Sequence, residues 1–305
     1  MTSLSPATAG HAAADAANRR GILAMIASMG VFVCNDTCVK LASASMPIGE
    51  IITMRNGLAT LYLGAFCLWA GGLAWPANPP VRLLALRVTG ELVSTILFLV
   101  ALVSLPLPDM TAISQFTPLA LTAAAAIFLK EPVGWRRWSA TVAGLIGVAL
   151  IVRPGSSSFS LAGALVLLSV VFVVMRDLAT RLISASISTP ALTMTSTLAG
   201  TAAGLMLLPF ETWQIPSARE SALIGLSGLF LTFGYALIII ALRTGEVGFV
   251  SPFRYCVILF ALMSGYLVWG DIPDHLAMLG IAILVCAGIY TVHRERVVRA
   301  GAPQP

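Results

Sequence analysis

Asp36 and Lys40 stand four residues apart at the end of a long apolar run, and Asp177 and Arg181 repeat the arrangement 141 residues later. The repeat is wider than the charges. VCNDTCVKLASAS (33–45) and VMRDLATRLISAS (174–186) share the acid, the cation and the closing Ser-Ala-Ser. On a helix, an acid four residues before a base lies on the same face in the favourable order. Ionised groups set in apolar spans are expensive, so they pair, face a cavity, or mark a path for ions and solutes. Arg55 and Arg254 stand inside apolar runs without such a neighbour: Arg254 has no acid at i±3 or i±4, and Arg55 has only Glu50 five residues before it. Glu91 follows Arg87 by four residues, and Arg176 directly precedes Asp177 on another face of the helix. The chemistry open to such a set is ion pairing, recognition of a carboxylate by the guanidinium fork, and proton exchange at a dehydrated acid.

Catalytic constellations are missing from the same inventory. The three histidines fall in the N-terminal tail (His11), a loop (His275) and the C-terminal end (His293), and HExxH, GxSxG and phosphate-loop patterns are absent. An aspartyl dyad of Asp36 and Asp177 needs the two acids roughly 3 Å apart. Helix rise places them on the order of 15 Å apart in depth, so that enzyme reading fails and no catalytic residue is assigned. The five cysteines (Cys34, Cys38, Cys67, Cys256, Cys286) lie inside apolar runs, without CxxC spacing, and read as small hydrophobes. No metal or other cofactor is expected.

The elements that must position these residues are membrane helices. Hydrophobic residues make up 58% of the chain and charged residues 10%, against about 25% charged in soluble domains. Apolar runs near the roughly 20 residues needed to cross a hydrocarbon layer recur along the chain. Ten spans can be drawn, near 21–42, 48–70, 83–104, 109–129, 136–152, 161–182, 189–209, 220–242, 246–269 and 276–292, joined by short breakers such as PANPP, LPLPD, RPGSSS and GDIPD. The expected fold is therefore all-α integral membrane with ten transmembrane helices. Residues 1–20 and 294–305 read as tails, the first disordered, and no signal-peptide cleavage pattern precedes the first run.

With the N-terminus cytoplasmic, twelve Lys and Arg residues fall on the inner side and only Arg153 and Arg219 in outer loops. That bias puts both termini inside. The net charge of +5 is scattered over span ends without a patch, so nucleic acid is not an expected partner. Because each copy of the repeat holds five spans, an odd number, the second copy enters the membrane inverted. Inverted repeats are typical of secondary transporters, whose site lies near the midplane between the halves.

GILAMIASMGVFVCNDTCVKLASASMPIGEIITMRN resembles the opening of EamA-type members of the drug/metabolite transporter superfamily. LPLPDMTAISQFTPLALTAAAAIFLKEPVGWRRWSATVAGLIGVALIVRPG and VGFVSPFRYCVILFALMSGYLVWGDIPDHLAMLGIAILVCAGIYTVHRE are similar to later parts of that family, so the resemblance covers about 21–295. It implies two inverted five-helix EamA repeats, here 21–153 and 161–293, and a bacterial inner-membrane protein. The stretches GEIITMR and PFRY place Arg55 and Arg254 at family positions. The expected function is secondary transport of a small polar metabolite, an amino acid or amino-acid conjugate, by alternating access. The alternative is a non-transporting scaffold or sensor.

Roles follow from symmetry. A structural scaffold should repeat, whereas a bound solute need not, so the unrepeated Arg55 and Arg254 are substrate candidates, with Arg176, Gln115 and Tyr255 beside them. Asp36–Lys40 and Asp177–Arg181 are candidate outer and inner gates, and Glu91 or Asp36 a candidate proton-coupling acid. The alternative for each pair is a helix-end anchor. Local pairing leaves Arg55, Arg176 and Arg254 unmatched, which favours a carboxylate-bearing solute. Small residues on the fifth and tenth spans (Ala140, Ala143, Gly144, Gly147, Gly280, Gly288) allow close helix approach within the chain, or a homodimer face.

Overall fold

A backbone in hydrocarbon must satisfy its own hydrogen bonds, so apolar segments of this length become helices. The computed structural model describes residues 6–70, 75–76, 78–128, 130, 134–152, 160–183, 187–244 and 251–300, with the side chains of 6–15, 70, 137, 181, 189, 239, 242–244, 251–252 and 291–300 outside the description. The helices are α1 (Pro6–Ala42), α2 (Ile48–Ala70), α3 (Val81–Ser104), α4 (Leu107–Ser114), α5 (Thr117–Phe128), α6 (Trp135–Val152), α7 (Leu161–Leu182), α8 (Thr189–Leu207), α9 (Ala218–Thr244), α10 (Cys256–Trp269) and α11 (His275–Ala300). Short 3-10 turns lie at Leu208–Phe210 and Ser251–Tyr255. Among the described residues seven helical stretches are long and apolar enough to cross a membrane, with α4 and α5 together forming one, Leu107–Phe128. Trp138–Val152, Phe253–Trp269 and His275–Tyr290 are shorter apolar helices.

Two features depart from the sequence reading. Helix α1 begins at Pro6, inside the stretch expected to be a disordered tail, because ATAGHAAADAAN is rich in the strongest helix former. The fourth span is not continuous. Pro118 has no N–H to offer and its ring crowds the preceding turn, so the chain turns at Gln115–Phe116. There Phe116 N–H donates to the Ile113 carbonyl at 3.0 Å, and Thr117 Oγ1 donates to the Ser114 carbonyl at 2.7 Å. In the second copy a 3-10 turn, Ser251–Tyr255, leads directly into α10 near the corresponding point.

Pairing between helices follows the repeat. Helix α1 packs on α9 and α3 on α7, α2 on α8, and α6 on α11. Exchanging each helix with its counterpart returns the same set of pairs. Helices α6 and α11 meet through glycine: a Cβ on Gly147 would stand 2.8 Å from the Gly280 carbonyl oxygen, and one on Gly280 2.5 Å from that of Gly147. The small-residue stripe is thus used within the chain. The interior is filled by Ile51, Ile52, Leu99, Leu102, Met110, Ile113, Leu119, Ile258 and Leu284. Leu68, Trp69, Phe210 and Ile215 stay largely exposed, an apolar exterior suited to lipid and its interfaces.

Candidate functional site

Charge converges on the middle of the bundle from four directions. Helix α1 supplies Asp36, α3 supplies Arg87 and Glu91, α7 supplies Arg176 and Asp177, and the turn before α10 supplies Arg254. Together with Ser114, Gln115, Thr180, Ser196 and Tyr235 they line a cavity of about 500 Å³. An adjoining cavity of about 290 Å³ shares most of these residues and adds Asn35, Arg55 and Ser94. Asp36 and Asp177, expected at separate gates, therefore face common space.

Arg176 is the hub. Its Nη1 lies 3.2 Å from Glu91 Oε2 and its Nε 2.8 Å from Asp177 Oδ1, so one guanidinium joins carboxylates on two helices. This corrects two expectations: Arg176 is not left without a partner, and Glu91 pairs across to α7 and not with Arg87 on its own helix. The cause is close packing at Gly90, where a Cβ would stand 2.8 Å from the Phe172 carbonyl and 3.0 Å from Arg176 Cβ. Arg87 turns instead to neutral acceptors: Thr180 Oγ1 at 2.5 Å, Ser196 Oγ at 2.8 Å and the Leu192 carbonyl at 3.2 Å.

Asp36 and Lys40 also part company. Asp36 Oδ1 accepts from Asn35 Nδ2 at 2.9 Å, and Asn35 Oδ1 accepts from Ser227 Oγ at 2.8 Å. Lys40 Nζ donates to the Leu105 carbonyl at 2.6 Å and stands 5.0 Å from the centre of the Trp269 ring. The carbonyl just past the end of α3 has no partner further along that helix, and Asp109 and Asp271 supply the opposite charge nearby. Lys40 thus ties α1 to the end of α3 and to α10 at one end of the bundle. At the same end the Glu211 carboxylate accepts from Gly49 N–H at 2.8 Å, Glu50 accepts from Gln214 N–H at 3.1 Å, and Ser45 bonds to Glu220. Toward the other end the cavity lining reaches Thr180, Leu192 and Thr193, close to the ends of α7 and α8.

The remaining candidates divide. Arg55 is 7% exposed, its Nε has no hydrogen-bond partner, and its strongest opposite charge is Asp36. Arg254 faces the cavity, with Asp177 as its strongest opposite charge, and makes no ion pair among the described residues. Gln115 lines both cavities at the helix break. Tyr255 does not join the lining: it is 6% exposed and its ring lies against Gly288 of α11. The Arg181 side chain lies outside the described residues. Arg87, Tyr235, Thr180 and Ser196 complete a wall that sequence reading did not assemble; the one signal was Arg87, a cation inside an apolar span. The lining holds four arginines (55, 87, 176, 254) and three acids (36, 91, 177), a surplus of one positive charge. Such a cavity can hold a small polar molecule and offset an anionic group. Among the described residues no cluster of His, Cys, Asp or Glu could hold a metal ion.

Comparison with known proteins agrees with this architecture. A solved crystal structure of another protein has a TM-score of 0.62 over 92% of this chain and 99% of its own, at 14% identity, which shows a shared fold. The pseudopaline exporter CntI of Pseudomonas aeruginosa is 28% identical over 89% of this chain and 95% of its own length. An S-adenosylmethionine uptake transporter of Rickettsia prowazekii is 23% identical over 90% and 93%, and a riboflavin transporter of Vibrio cholerae 29% identical over 62% and 64%. The model of the EamA-like transporter family matches twice, at residues 19–153 and 160–293. With two such matches spanning nearly all of a multi-pass, apolar, helical chain, the protein belongs to the EamA-like transporter family and is a small-molecule transporter.

Proposed function

We propose that this protein is a secondary transporter of a small carboxylate-bearing metabolite, an amino acid or amino-acid conjugate, across the bacterial inner membrane by alternating access. The observation that carries the reading is the cavity's charge: one cation in excess, with Arg254 outside any described ion pair and Arg55 buried with Nε lacking an acceptor. A buried cation left unmatched, as Arg55 is, costs several kcal/mol, and a solute carboxylate offsets this through the guanidinium fork, which Arg254 presents open to the cavity. Ten spans in two inverted halves, 21–153 and 161–293, with both termini cytoplasmic, fit the exchange symmetry of the helix pairs and the Lys and Arg distribution. Rocking of the halves would then exchange the closed end at Lys40 for the end near Thr180. Exporters and uptake transporters both occur among the relatives, so direction follows the gradient imposed.

Counterflow in proteoliposomes tests this. L-Serine, L-glutamate and N-acetyl-L-glutamate are compared with ethanolamine and with the corresponding amides. Carboxylates should exchange and the amine and amides should not. Arg254→Lys should weaken apparent affinity roughly tenfold, because an ammonium cannot reproduce the fork. Exchange of ethanolamine alone would overturn the reading.

A further inference from the structure

Of the three carboxylates on the cavity, two are held by one arginine, since Glu91 and Asp177 both contact Arg176. Asp36 is different. Its direct partner is the neutral amide of Asn35, itself fixed by Ser227. Arg55 on α2 is the cation whose charge acts on it most, yet no hydrogen bond joins the two. Arg55 in turn is 7% exposed and its Nε has no acceptor. The repeat sharpens the contrast: Asp36 and Asp177 are counterparts, as are Asn35 and Arg176, so the second copy has a cation where the first has an amide. The other ionisable groups facing the same space are Arg87 and Glu91 on α3, Arg176 and Asp177 on α7, Tyr235 on α9 and Arg254 before α10. Arg176 is committed to its two acids and Arg87 to Thr180, Ser196 and the Leu192 carbonyl, which leaves Arg55 and Arg254 to answer an incoming anion.

We infer that Asp36 is the proton-coupling site and Arg55 the switch that links it to the solute. This rests on the transport reading above and names its coupling ion. With the cavity empty of solute, Arg55 is the counter-charge of ionised Asp36. A solute carboxylate bound at Arg55 takes that counter-charge, and Asp36 then takes a proton from the aqueous phase to which the cavity is open. One O–H bond forms on Asp36 and no other covalent bond changes. The bound carboxylate and the proton cancel in charge, so the loaded cavity carries the same net charge as the empty one. Release of the solute on the far side returns Arg55 to Asp36, which gives up its proton there. By linkage, solute raises proton affinity by the same factor as the proton raises solute affinity. For a solute of net charge −1, such as L-glutamate, the cycle moves one solute and one proton in the same direction, electroneutrally.

The test uses full-length protein and L-glutamate, L-serine and N-acetyl-L-glutamate as probes. In weakly buffered detergent solution, binding of a carboxylate should take up about one proton per site, read with a pH dye. In proteoliposomes a pH gradient should drive accumulation of L-glutamate, net charge −1, of about tenfold per pH unit, and an imposed membrane potential should not; zwitterionic L-serine, moving with one proton, should respond to both. Asp36→Asn should lose proton uptake and gradient-driven accumulation while still catalysing exchange, and Asp36→Glu should recover part of both. The proton count on the natural protein keeps the test in force if Asp36→Asn does not fold. Exchange of carboxylates without proton uptake, or gradient-driven accumulation by Asp36→Asn, overturns the coupling and leaves the transport reading standing. Exchange restricted to ethanolamine overturns both.

Discussion

At the scale of the residue, the site is decided by which guanidinium is already committed. Arg176 contacts Glu91 and Asp177, and removing it would leave two carboxylates facing each other across α3 and α7. The pairs are partly buried, so their loss costs less than the roughly 3–5 kcal/mol of a fully buried pair, and Arg176→Gln should lower the melting temperature in detergent by a few degrees. A second change, Glu91→Gln, should return part of the loss, and the non-additivity measures the pair. Additive losses would mean that the contact does not contribute. That Arg55, Glu91, Arg176 and Arg254 are candidates for an interior site could be read from their place in apolar runs, and all four line the cavities. Their partners could not, because the deciding contacts come from other helices: the sequence offers Arg87 to Glu91 and Lys40 to Asp36, while packing at Gly90 and the open carbonyl at Leu105 choose otherwise. Tyr255 misled for the same reason, since a phenol near an arginine says nothing about the glycine of α11 that receives its ring.

At the scale of the element, run length alone marked the helices, and the breaker clusters marked most joints. The interruption at Gln115–Phe116 and the 3-10 turn at Ser251–Tyr255 were not legible in the same way. A proline inside a span permits a continuous kinked helix as well as a break, and the choice lies in what surrounds it. The α6–α11 contact is the opposite case, since the spacing of small residues on the two spans already marks it. Its prediction is direct: Gly147→Val or Gly280→Val would drive a branched side chain into the facing backbone. Overpacking of this kind costs roughly 1–3 kcal/mol, and a facing backbone has no rotamer with which to yield. Gly57 on α2 has nothing within 4 Å of the position a Cβ would take, so Gly57→Ala should leave the melting temperature unchanged or slightly raised. Equal tolerance at all three positions would show that α6 and α11 do not meet as described.

At the scale of the whole molecule, the two ends of the bundle are unequal. One is latched by Lys40 on the Leu105 carbonyl and by Glu50, Glu211 and Glu220 reaching between the halves. Toward the other, Leu192 and Thr180 line the cavity. In the orientation proposed above, the latched end faces the outside. In a background with the five native cysteines replaced by alanine, single cysteines then report topology and state together. Ile215→Cys, at 97% exposure, should react with a membrane-impermeant maleimide added to intact cells. Lys130→Cys, exposed at the opposite end, should react only in inverted vesicles. Leu192→Cys should follow Lys130→Cys in the resting state and be protected by a transported carboxylate, since solute and probe compete for one cavity. Lys40→Gln removes the ammonium from the Leu105 carbonyl, and weakening only the outer latch shifts the population toward the opposite opening by its differential stability in the two states. Reactivity of Leu192→Cys in inverted vesicles should therefore fall when Lys40→Gln is added, while Lys130→Cys labels as before. Unchanged Leu192→Cys labelling would show that Lys40 anchors α1 without gating the cavity, and labelling of Lys130→Cys in intact cells would reverse the orientation altogether.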